Sequence, residues 1–149
     1  MKGVGIVRDH LRDYATEAFR FWAKVGGTKQ YIEDLVEDVQ KQKASGMASP
    51  TEGALVSKER ILAERAAELA DLDAVDKTLH IISTLGAGKE MLQAVEMVYF
   101  EKCWAEMQRG DIQDRVHKAE LTIPASERQI YRWLKQARII FAKERGLRL

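Results

Sequence analysis

One stretch near the C-terminal end, SERQIYRWLKQA (Ser126–Ala137), decides the fold expected for this chain. Ser126 is followed three positions later by Gln129, which is the spacing of a capping box at the start of a helix. Apolar residues then recur at steps of three and four, the period of a helix that buries one face. These residues are Ile130, Trp133, Leu134, Ala137, Ile140 and Phe141. The pattern predicts a helix from Ser126 to about Arg145, ended by Gly146.

A short helix and a turn are predicted immediately before this stretch. Gly110 breaks the preceding helical pattern, Asp111 can cap a helix that runs to Ala119, and Pro124 lies in a turn over Leu121–Ala125. A short helix, a turn and a helix with polar first turns and an apolar back are the parts of a helix-turn-helix. The second helix of that motif enters the major groove of DNA. Residues 111–145 therefore predict a helix-turn-helix.

Charge is divided unevenly along the chain. Residues 1–108 carry 14 Lys/Arg and 18 Asp/Glu, whereas residues 109–149 carry 10 Lys/Arg and 5 Asp/Glu. From residue 128 onward Glu144 is the only acidic residue, and the basic residues are Arg128, Arg132, Lys135, Arg138, Lys143, Arg145 and Arg148. This bias favours a polyanionic partner. The alternative is a solvated helix face whose cations lie near a helix C-terminus, where the helix dipole stabilises them.

The polar side of the last helix supplies the predicted DNA contacts. Arg128 and Arg132 lie one turn apart at its start, and arginine can bind guanine through two hydrogen bonds, so both are predicted to contact base edges. The cations further along the helix, Lys135, Arg138 and Lys143, are assigned to phosphate contacts. Neighbouring polar residues complete the set. The full predicted DNA-binding set is Glu127, Arg128, Gln129, Tyr131, Arg132, Lys135, Arg138 and Lys143.

The rest of the chain predicts an all-α fold, because no useful period-2 alternation of a strand occurs. Helices are predicted over residues 6–25, 28–43, 58–85 and 89–109, and glycines and a proline mark a loop between residues 44 and 57. This organisation gives an N-terminal helical region at 1–45, a loop or linker at 46–57, and a helical core at 58–149 that ends in the helix-turn-helix.

The 58–85 stretch is predicted to be a long central helix. Leu62 and Leu69 lie seven residues apart, but Asp76 interrupts that track at the next step. Leu72 and Leu79 begin a second track, which is also incomplete. A long packing helix is therefore expected, and a homodimer through residues 58–85 is the alternative.

Neither catalysis nor a cofactor is predicted. His10, His80 and His117 are widely separated and Cys103 is the only cysteine, so no close pair of metal ligands is expected and no metal is assigned. No apolar run approaches the length of a membrane span, and no signal peptide is recognised. The single cysteine is typical of a reducing compartment, so a cytoplasmic location is expected.

The Ser126–Ala137 stretch resembles the last helix of the RinA/ArpU family of phage late-gene transcription regulators. The C-terminal domain of that family is similar to region 4 of sigma factors. Glu96–Phe100, read EMVYF, resembles the aromatic segment that precedes the helix-turn-helix in this family, although the tract between Phe100 and Ser126 is longer than the family pattern. The resemblance implies sequence-specific binding of double-stranded DNA and activation of phage or prophage genes in a bacterial host cell.

Three further expectations follow from the sequence. RNA polymerase is an additional candidate partner for a regulator of this type. Small terminase subunits of phages are also compact helical proteins with a helix-turn-helix, so DNA packaging is one alternative. A helical interaction module that binds no nucleic acid is the other.

Overall fold

The computed structural model describes residues 9–44 and 52–148, which form seven α-helices, one π-helical turn and no strand. The predicted all-α fold is therefore confirmed. None of the described helices is both long and apolar enough to cross a bilayer. The elements are α1 (His10–Lys24), α2 (Thr28–Ala44), α3 (Glu52–Glu64), α4 (Ala66–Ser83), α5 (Gly88–Val95), the π-helical turn (Glu96–Phe100), α6 (Asp111–Thr122) and α7 (Glu127–Arg145).

Aromatic side chains join the first helix to the last in a single core. Phe19 of α1 stacks on Tyr99 of the π-helical turn with ring centroids 5.5 Å apart, and it packs against Phe141 of α7 at 5.6 Å. All three rings are buried. Such pairs contribute roughly 0.5–1.5 kcal/mol beyond the burial of their apolar area. The aromatic N-terminal helix therefore shares its core with the C-terminal helices.

The carboxylate of Asp71 on α4 forms hydrogen bonds with both α1 and α7. Asp71 Oδ1 accepts a hydrogen bond from Tyr14 Oη of α1 at 2.6 Å and another from Arg145 Nε of α7 at 2.7 Å. Burial and the hydrogen bond to Asp71 raise the pKa of Tyr14, so the phenol remains a donor at neutral pH. The last turn of α7 is thereby held against α1 and α4.

Two further carboxylates of α4 hold the junction of α1 and α2. Asp76 accepts from Trp22 Nε1 at 2.8 Å and from Thr28 Oγ1 at 2.5 Å. Tyr31 Oη donates to Glu68, and burial together with that bond raises the pKa of Tyr31 to about 12. Asp76, which interrupts the leucine track in the sequence, thus accepts hydrogen bonds from both α1 and α2.

The predicted long helix over residues 58–85 is wrong, because it is broken at Arg65. The backbone there has φ −103° and ψ 19°. α3 packs against α2 and α4, whereas α4 packs mainly against α1, α5 and α7, so the two halves have different neighbours. α3 also begins at Glu52, so residues 52–57 of the predicted linker are helical, and residues 46–51 lie outside the described residues.

The predicted helix over residues 89–109 is also wrong beyond Phe100. The chain leaves the π-helical turn at Glu101 in an extended conformation, and Lys102 has a positive φ of 51°. Two arginines hold the segment that follows through its carbonyl oxygens. Arg20 of α1 donates to Lys102, Cys103 and Ala105, and Arg115 of α6 donates to Val98 at 2.8 Å and to Glu101 at 2.7 Å.

This early end leaves Trp104 outside any helix. Trp104 lies four residues past Phe100 and is 74% exposed. The carbonyl groups that a continuing helix would have used are bound instead by arginine side chains from other elements. Periodicity does not report such long-range bonds.

We expect Asp71→Ala to lower the free energy of unfolding by about 2–3 kcal/mol, because Tyr14 and the partly buried Arg145 both lose their acceptor. Urea denaturation followed by circular dichroism measures the change. The matched control is Asp73→Ala, which removes an exposed carboxylate paired only with Lys77, and exposed ion pairs contribute little. Equal losses of stability in the two variants would contradict the role assigned to Asp71.

Candidate nucleic-acid interface

Residues 111–145, predicted to be a helix-turn-helix, consist of α6, a four-residue connection and α7. α6 continues to Thr122, three residues past its predicted end. Ile123, in an extended conformation and almost fully buried, redirects the chain toward Ser126. The Ser126 side chain accepts from the backbone N–H of Gln129 at 3.1 Å, as the capping-box spacing predicts.

α7 ends as predicted and buries the predicted stripe. Gly146 adopts the left-handed conformation with φ 78°, and its N–H bonds to carbonyl groups of the last turn. Five of the six apolar residues are buried and Ile140 is half-buried. The buried ones are Ile130, Trp133, Leu134, Ala137 and Phe141. This packing fixes which side of α7 faces solvent.

The opposite face of α7 is cationic and exposed. Arg128, Arg132, Lys135 and Lys143 are all exposed. Residues 128, 132 and 135 are separated by four and three positions, so these three cations form a continuous row along the N-terminal half of the helix. Tyr131 lies beside this row and is 38% exposed.

Three residues of the predicted DNA-binding set lie away from this row. Glu127 is turned toward α6, with Oε2 3.7 Å from His117 Nδ1. Arg138 is half-buried and donates from Nη1 to Tyr99 Oη at 2.8 Å. Gln129 is half-buried in the first turn, where its backbone N–H takes part in the helix cap. Arg138, which is assigned to a phosphate contact from the sequence, therefore forms a hydrogen bond within the fold.

The number of cations available to a polyanion is smaller than the sequence suggests. Arg145 is bound to Asp71, and Arg138 to Tyr99. From residue 128 onward, the described cations that remain exposed are Arg128, Arg132, Lys135, Lys143 and Arg148.

An open groove of about 720 Å³ runs along the Tyr131 side of α7. Its walls come from α1, from the segment before α6 and from α7, and include Arg12, Arg109 and Arg138. Arg109 is exposed at a turn in which the Asp111 N–H donates to the Gln108 carbonyl at 3.1 Å. Arg12 and Arg109, two cations outside the predicted set, thus share a groove with Tyr131, and the carboxylates of Asp13 and Glu17 line the same groove.

Sequence reasoning missed Arg12 and Arg109 because nothing in their local pattern differs from that of a solvated cation. The charge count of residues 109–149 includes Arg109 but does not indicate where it lies. Arg12 belongs to α1, which ends more than a hundred residues before α7 begins, and only tertiary packing brings the two helices together.

Comparisons with protein-family models, with curated proteins and with solved structures find no match to this chain.

We expect Trp133→Ala to lower the free energy of unfolding by on the order of 3 kcal/mol, because the ring is only 8% exposed and its removal leaves a cavity. Arg128→Ala, five residues earlier on the exposed face, should change stability by no more than about 0.5 kcal/mol. Thermal and urea denaturation of both variants measure the difference. Similar destabilisation by the two changes would mean that α7 is rotated relative to the arrangement described.

Proposed function

We propose that this chain binds double-stranded DNA through α6 and α7 and acts as a sequence-specific regulator of phage or prophage transcription. The observation that carries the proposal is the division of the N-terminal half of α7 into two faces. The buried apolar face packs into the core, and the exposed face carries Arg128, Arg132 and Lys135. A recognition helix needs this arrangement, since one side must be held by the protein while the other enters the groove.

Within this proposal, the exposed residues of α7 have different roles. Arg128 and Arg132, in the first turns, are placed to contact base edges, where a bidentate bond to guanine discriminates by roughly 1–3 kcal/mol. Lys135 and Lys143 lie further along the helix and are assigned to phosphates. Tyr131 borders the row and can donate from its hydroxyl group to a phosphate oxygen.

The groove beside Tyr131 supports an interface wider than one helix. Arg109 is exposed on its far wall, and the hydrogen-bonded turn that carries this residue limits its conformational freedom. Phosphate contacts from outside the recognition helix fix the register of a protein on the duplex without reading sequence.

The assembly state separates this function from DNA packaging. A ring of many subunits, detected by light scattering, would favour the small terminase alternative, and a monomer or dimer would favour regulation. Leu72 is buried within the chain and Leu79 packs against the same core. A homodimer through residues 58–85 would therefore draw on the first leucine track, where Leu62 and Leu69 are half-buried, rather than on the second. Contact with RNA polymerase is likewise part of the proposal.

Two substitutions on α7 test the assignment of roles. We expect Arg132→Ala to reduce the preference for a specific duplex over a scrambled one by roughly tenfold or more, because a base contact is lost. Lys143→Ala should weaken binding to both duplexes alike and reduce the slope of log affinity against log salt by about 0.9, because one phosphate contact is lost. Fluorescence anisotropy over a salt series measures both effects, on a duplex first selected from fragments of the source genome.

Arg60→Gln is the matched control, since it removes one exposed cation from α3, on the part of the fold that packs against α2 and α4. This variant should bind both duplexes with nearly the wild-type salt slope. If wild-type protein binds neither duplex at low salt, the proposed function fails and the interaction-module alternative takes its place. If Arg132→Ala keeps the wild-type preference for the specific duplex over the scrambled one, the assignment of α7 as the recognition helix is wrong.

A further inference from the structure

Three side chains able to bind a metal converge at the turn between α6 and α7. His117 and Glu120 lie three positions apart on α6, and Glu127 is the first residue of α7. Each offers one ligand atom, and these atoms all lie within 4.8 Å of one another. The turn at Ile123 brings the third residue to the other two.

The charge of this cluster is not neutralised by Lys or Arg. Among the described residues, neither Glu120 nor Glu127 forms an ion pair with either residue type, and the partner of Glu127 is His117. Several helical carboxylates elsewhere in the described residues do have cationic partners three or four positions away, namely Glu37–Lys41, Arg60–Glu64, Arg65–Glu68 and Asp73–Lys77. An external cation bound at this cluster would balance the charge of Glu120 and Glu127.

The ligand types and spacing suit a transition metal. An imidazole nitrogen and carboxylate oxygens bind Zn²⁺ at about 2.0–2.2 Å, so neighbouring ligand atoms of a tetrahedral ion lie roughly 3.3–3.5 Å apart. His117 Nδ1 and Glu127 Oε2 are already 3.7 Å apart. Glu120 is exposed, so rotation of its side chain can close the remaining distance without disturbing packing.

We propose that His117, Glu120 and Glu127 form a binding site for a divalent transition metal of the Zn²⁺ type. Imidazole favours Zn²⁺, Co²⁺ and Ni²⁺ over Mg²⁺ and Ca²⁺. Water completes the coordination, because the site lies at the surface. His117 and Glu120 are exposed and Glu127 is half-buried, so we expect a dissociation constant on the order of micromolar.

A bound ion links the two helices of the helix-turn-helix across their connection. It holds the first turn of α7 to α6 directly before Arg128, the first residue of the cationic row. This consequence for DNA binding rests on the proposed function, whereas the metal site rests only on the three ligands.

Zinc titration of the full chain, freed of metal by a chelator, tests the site. We expect one Zn²⁺ per chain by isothermal titration calorimetry, and a Tm that rises by about 5 °C or more at saturating Zn²⁺, because the ion binds only the folded arrangement. His117→Ala and Glu120→Gln should each abolish the stoichiometric binding and the rise in Tm. Both residues are exposed, so circular dichroism should show the wild-type fold.

His80→Ala is the matched control, since it removes an exposed histidine from α4, away from the cluster, and should keep both effects. Wild-type protein that binds no Zn²⁺ at millimolar concentration, or His117→Ala that binds as well as wild type, would overturn the site. A Co²⁺ spectrum with a thiolate charge-transfer band would place the ion at Cys103 and would also overturn it.

A DNA-binding measurement with and without Zn²⁺ separates the two proposals. If the chain binds no duplex but takes up one Zn²⁺ through His117, the proposed function fails and the metal site stands. If the chain binds a duplex but takes up no Zn²⁺, the metal site fails and the proposed function stands. Zinc that tightens DNA binding in the wild type but not in His117→Ala would support both.

Discussion

Burial of one face of α7 is the constraint on which the remaining architecture depends. α7 packs against α1, α4, α5 and α6, and the aromatic contact between Phe19 and Phe141 joins the two ends of the chain. Apolar burial has little directional preference, but a helix that buries a stripe has only one side left for solvent. The position of the cationic row is therefore a consequence of core packing.

Hydrogen bonds to carboxylates of α4 fix the orientation of this helix, which apolar burial alone does not specify. Asp71 binds α1 and α7, and Asp76 binds Trp22 and Thr28 on either side of the first turn. A partly buried carboxylate with two donors is strongly held, because loss of either donor leaves charge poorly solvated. These bonds set the rotation of α4 relative to the helices that contact it, and explain why acidic residues occur in its apolar pattern.

Arginine side chains serve two different purposes in this molecule. Arg20 and Arg115 bind carbonyl oxygens of the segment after the π-helical turn, and Arg138 binds Tyr99. Arg128 and Arg132, by contrast, extend into solvent. The guanidinium group has five donors and keeps its charge when partly buried, so it suits both internal carbonyl binding and recognition of an external polyanion. Composition alone counts all five residues as equal.

The sequence by itself determined the features that depend on local pattern. The all-α class, the start of α7 at the Ser126 cap, its end at Gly146 and its buried stripe follow from capping chemistry and 3.6-residue periodicity. Tertiary structure decided the end of the helix at Phe100 and the hydrogen bond of Arg138 to Tyr99, because each depends on residues distant in the chain. It also decided that Glu127 faces His117, since the angle between two helices is set by their packing and not by the spacing within either one.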